Sequence, residues 1–138
     1  MSYAILYLAI LLPFCLMDAS WLTIMGSLLY KPTLADILLP TLKVAPAAAF
    51  YATYPIGLVV FAALPALKSG NAMTAALYGA IFGAIAYATY DLTNYATLRN
   101  WTLQITVVDI CWGAFASAVA AAVGIYMTRS IGGWLGIA

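Results

Sequence analysis

Four stretches of this chain are long and apolar enough to cross a bilayer as an α-helix, which takes about 20 such residues. They run from about Tyr3 to Met25, Lys43 to Leu64, Ala72 to Leu98 and Thr102 to Thr128. In hydrocarbon every backbone N–H and C=O must be bonded within the protein, and runs of this length meet that need as helices. The expected fold is therefore all-α, a polytopic membrane protein whose residues 1–138 form a single domain of four transmembrane helices. A soluble fold fails on composition. Only 7% of the residues are charged and 67% are hydrophobic, against roughly 25% charged in soluble domains. A net charge of +1 offers no basic face for nucleic acid. The lack of His excludes His-clustered zinc or iron and His-ligated haem.

The first apolar run has no Lys or Arg before it and continues past Asp18. It reads as a retained membrane helix and not as a signal peptide. Pro65, Lys68, Gly70 and Asn71 mark the turn between the second and third spans. The third and fourth are joined so tightly, around Arg99, Asn100 and Trp101, that they must be antiparallel neighbours. The longest connection, residues 26–43, reads "GSLLYKPTLADILLPTLK". Leu34, Ile37, Leu38 and Leu42 follow helical spacing, with Pro32 suited to a first turn and Pro40 to a stop. This segment is read as a short amphipathic helix in the membrane interface, with an apolar loop packed on the bundle as the alternative. Gly79 and Gly83 form a Gly-x-x-x-Gly pair, read as an internal packing seam. Lys31, Lys43 and Arg99 on one side, against Lys68 and Arg129 on the other, are too balanced to decide orientation.

The informative residues are Asp18, Asp91 and Asp109, each inside an expected span. Asp at the centre of a membrane helix costs about 2.5–3.5 kcal/mol, so each is a candidate functional residue. Counting from the expected helix ends, with alternating helix direction, puts all three about seven residues, or roughly 10 Å, from the same face. They are expected to share one layer. Tyr51 and Tyr54 of the second span fall at that depth. Trp21, Asn94 and Trp112 each follow an Asp by three positions and share its helical face. In "DASW" and "DICW" each carboxylate is expected to lie under the indole of its own helix. Arg99 stands at the rim, either snorkelling to lipid phosphate or capping a pocket. Trp101 and Trp134 read as interface-belt residues, and Cys15 and Cys111 as small hydrophobes.

"YATYDLTNYATLRNW", "VVDICWG", the D-x-x-W of the first span and "FYATYPIGLVVF" of the second lead to a family. Over essentially its whole length the chain resembles the bacterial predicted-membrane-protein family known as domain-of-unknown-function family 2177. The resemblance implies a four-helix, multi-pass protein of the bacterial inner (cytoplasmic) membrane. It implies no activity.

Three neighbouring carboxyls cannot all be charged in a low dielectric, so a cation neutralises them or some keep a proton. Three readings follow. In the first, a pocket open to one leaflet binds a lipid-like or small amphipathic molecule. Asp18, Asp91, Asp109 and Asn94 hold its polar part, Trp21, Trp112, Tyr51 and Tyr54 form walls, Arg99 stands at the mouth, and residues 31–43 act as a lip. In a catalytic version, one protonated and one ionised Asp serve as acid and base; enzyme or binder is left open. The second reading is a proton- or cation-coupled transporter acting as a homo-oligomer. The third is a structural or assembly subunit of a membrane complex. Membrane lipids are the expected partners. No cofactor is named by the sequence and no metal is expected; oxygen-only ligands would favour Mg²⁺ or Ca²⁺ over Zn²⁺.

Overall fold

The computed structural model describes residues 2–135, with side chains over 2–133, so Trp134 lies outside the described side chains. Four long helices carry the chain: α1 (Tyr3–Leu34), α2 (Val44–Ser69), α3 (Ala72–Thr97) and α4 (Leu103–Leu135). No strand occurs among the described residues. All four are long and apolar enough to span a membrane, which makes this a multi-pass membrane protein. Each start after a non-helical residue is capped by a short polar side chain or left to lipid and water. Ser2 Oγ accepts from the Ile5 N–H at 3.4 Å and Asn71 Oδ1 from Met73 at 2.8 Å. Thr102 Oγ1 accepts from Ile105 at 3.1 Å. Gly70 closes α2 with φ 77°, a left-handed turn that glycine adopts without a Cβ clash.

The first helix runs well past Met25. It does so through a widened, π-helical turn at Gly26–Tyr30, placed just before Lys31 and Pro32. α2 repeats the device at Val59–Ala63, just before Leu64 and Pro65. The Lys31 N–H reaches back to the Gly26 carbonyl, and Leu64 to Val59, one residue further than in an α-helix. A proline ring collides with the carbonyl four residues before it. Widening the turn makes room, so the helix continues through the proline. Reading Pro32 as a helix start therefore cut the first helix short. The helical turn expected in the interface is the last turn of α1, Lys31–Leu34, and residues 35–43 form turns and extended backbone. Neither a separate interfacial helix nor a packed loop describes them: Ile37, Leu38, Leu39 and Leu42 are exposed.

The closest packing joins α3 to α4. A Cβ on Gly79 would sit 2.7 Å from the Ser117 carbonyl oxygen, and one on Gly83 would collide with that of Gly113. The glycine pair is thus an inner seam, where missing side chains let two backbones touch. α1 lies along α4, with Ile10 filling the notch at Gly124. α2 meets α3 and α4 through Val59–Ala63, whereas its first half leans on α1. Leu6, Ile10, Phe14, Leu58, Ala62, Ala120, Ala121 and Ile125 fill the core at that level and beyond it. Towards the other end Phe50 and Tyr54 of α2 and Ala86, Tyr87 and Tyr90 of α3 border a cavity.

Candidate functional site

At that end the polar side chains of all four helices converge. Asp18 of α1 is 5% exposed and accepts two hydrogen bonds, from the Tyr51 hydroxyl of α2 and from Trp112 Nε1 of α4 at 3.0 Å. Asp109 of α4 accepts from the Tyr30 hydroxyl at 2.7 Å, and Tyr30 in turn accepts from Trp21 Nε1 at 3.0 Å. Trp21 and Trp112 lie face to face, ring centroids 4.4 Å apart and 4° from parallel. The two D-x-x-W stretches are therefore crossed. Each indole serves the carboxylate of the opposite helix, Trp112 directly and Trp21 through Tyr30. The expected pairing within one helix is not what forms.

This crossing also divides the expected single layer. The stacked indoles set α1 and α4 level with each other, with Asp18 one short step below and Asp109 one short step above. Three residues on either side at 1.5 Å each set the two Asp backbone positions about 9 Å apart along the bundle. The depth count failed because it took Met25 as the end of α1. Asp91 of α3 belongs to the upper level, with its carboxyl beside that of Asp109. It is completely buried, and neither of its oxygens meets a donor among the described residues.

Two cavities share this region. The inner one, about 390 Å³, is lined by Asp18, Trp21, Leu22, Phe50, Tyr54, Ala86, Tyr87, Tyr90 and Asp109. The outer one, about 800 Å³, lies between the end of α1, the 37–43 segment and the start of α2, and includes Lys31 and Lys43. Leu22, Tyr90 and Asp109 line both, so they form the passage from one to the other.

The remaining expected site residues divide. Tyr54 walls the inner chamber with its hydroxyl 2.7 Å from Ser117 Oγ, and bonds to no Asp. Asn94 lies beside Tyr90 and lines neither chamber. Arg99 is exposed on the tight α3–α4 loop, also away from both. Trp101 is no belt residue: it is buried against Leu34 and Ile105, donates to Thr106 Oγ1 at 3.1 Å and meets Tyr90 edge-on. Cys15 and Cys111 are free thiols. Thr23, Thr53, Thr89 and Thr93 bond back to carbonyls one turn earlier in their own helices.

Tyr30 was not anticipated. Its only signal in the sequence is its place just before Lys-Pro, where a widened turn re-aims a side chain. Tyr30→Phe is expected to cost about 1 kcal/mol, the scale of one hydrogen bond between membrane helices. Unfolding in mixed micelles measures this, with Tyr126→Phe, on an exposed tyrosine, as the neutral control. No loss from Tyr30→Phe would mean that the bond does not hold α1 to α4.

The fold defines a multi-pass membrane protein of four apolar helices. The chain belongs to the family described as "Predicted membrane protein (DUF2177)", whose model matches residues 3–126. No curated protein and no solved structure matches it.

Proposed function

We propose that this protein binds a lipid-like or small amphipathic molecule in the two connected chambers, entered from one leaflet of the bacterial cytoplasmic membrane. The observation that carries this reading is a cavity open at one end of the bundle that ends against a closed core. A transporter needs a polar route into the other half. Beyond Asp18 the core is Leu6, Ile10, Phe14, Leu58 and small residues, with two buried hydroxyls, Ser117 bonded to Tyr54 and a lone Thr128, and no carboxyl or amide among them. A purely structural polar layer would have every carboxyl bonded and no cavity beside it, whereas Asp91 has no donor. Asp109 stands in the passage with Asp91 behind it. That gives a converting enzyme its acid and base from the same pair.

Mass spectrometry of the protein purified in mild detergent tests this. The native form is expected to carry an amphiphile, and Asp109→Asn to retain roughly tenfold less, the effect of losing one charged hydrogen bond. Asp91→Asn should show the same loss through its neighbour. Equal lipid content in native and both variant forms, with unchanged helicity and unfolding temperature, would refute the pocket.

A further inference from the structure

The inner chamber joins two features that favour the same kind of ligand. Its walls are the rings of Trp21, Phe50, Tyr54, Tyr87 and Tyr90. Its polar ends are two carboxyls, Asp18 below and Asp109 above, and none of its lining residues is Lys or Arg. Asp18 accepts from both Tyr51 and Trp112. Asp109 accepts from Tyr30, and behind it Asp91 is completely buried with no donor among the described residues. Asp18 and Asp109 thus set acceptor carboxyls into a chamber walled by aromatic rings. Ring faces carry negative charge as well. Such a chamber attracts a cation, and aromatic walls suit a weakly hydrated one spread over several carbons. Among the described residues no three acidic, Cys or His side chains converge as metal ligands do.

We propose, building on the pocket reading, that the inner chamber receives the ammonium head of an amphiphile, a quaternary or alkylated amine. Its apolar tail passes Leu22 and Tyr90 into the outer chamber, along Leu34, Ile37 and Leu38. Lys31 and Lys43 line the outer chamber, so the cationic end is disfavoured there and the ligand's polarity is set.

The test is a tryptophan-fluorescence titration of the full chain in dodecyl maltoside micelles, which contain no ammonium group. Hexyltrimethylammonium is compared with its neutral carbon isostere, 2,2-dimethyloctane, and with hexanesulfonate, each scaled to its micelle-bound concentration. The ammonium is expected to bind about tenfold or more tightly than the isostere, the scale of a desolvated cation–π site. Asp18→Asn and Asp109→Asn should each lose this preference and Asp36→Asn, on an exposed residue, should keep it. The preference is read on the native protein, so a variant that fails to fold does not remove the test. Equal binding of ammonium and isostere overturns the ammonium assignment and leaves the pocket standing. A preference unchanged in both site variants overturns it as well. If none of the three probes binds, the pocket reading falls with it.

Discussion

Gly83→Leu is expected to abolish a folded, monodisperse protein. A Cβ at this position would collide with the Gly113 carbonyl and lie 2.5 Å from Ser117 Oγ and 2.7 Å from its Cβ. The carbonyl belongs to the backbone of α4 and cannot rotate away, so the helices must separate. Overpacking of this kind costs about 1–3 kcal/mol even when only side chains shift, and here the whole seam moves. Separation also undoes the Tyr54–Ser117 bond and draws Asp91 from Asp109. Size-exclusion profile and thermal unfolding measure the outcome. Gly26→Ala is the control, because a Cβ there meets nothing within 4 Å. A Gly83→Leu protein that elutes and unfolds like the native one would mean that α3 and α4 do not touch as described.

Trp112→Ala is expected to destabilise the bundle by about 3 kcal/mol, the lower range for loss of a packed tryptophan, since this one is only half-buried. It removes the stacked partner of Trp21 and one of the two donors to Asp18. Trp112→Phe separates these roles. It keeps a ring on Trp21 and drops the N–H, for an expected cost of about 1 kcal/mol. Unfolding of the native protein and both variants in mixed micelles gives the comparison. Equal losses in both would place the energy in the hydrogen bond and not in the stack. No loss in either would show that the indole pair does not hold α1 and α4 in register.

Both predictions concern contacts of different legibility. The Gly79–Gly83 seam could be read from spacing, because close approach of helices in lipid requires small residues at four-residue intervals. The capping residues Asn71 and Gly70 could be read for the same reason: the chemistry is local. Trp101 could not. Its sequence context, beside Arg99 and Asn100 in a short loop, is that of an interface residue. It is buried because α1 runs on to Leu34 and covers it, with Ile105 and Tyr90 on its other sides. That extension depends on the widened turn before Pro32, and a proline in an apolar run is compatible with a start, a stop or a continuation.

The sequence by itself determined a four-helix membrane protein and singled out Asp18, Asp91 and Asp109, because hydrocarbon tolerates neither unbonded backbone nor idle carboxyls. Such constraints act on each helix separately and so are written along the chain. The tertiary structure alone decided which groups meet. It brought Tyr30 to Asp109, crossed the two Asp–Trp pairs, set Asp18 a level below the Asp91–Asp109 pair, and left Arg99 and Asn94 outside the chambers. Those outcomes depend on the relative height and rotation of the helices. The extra residue in the Gly26–Tyr30 turn of α1 re-aims Tyr30, and no periodicity within a single span records it.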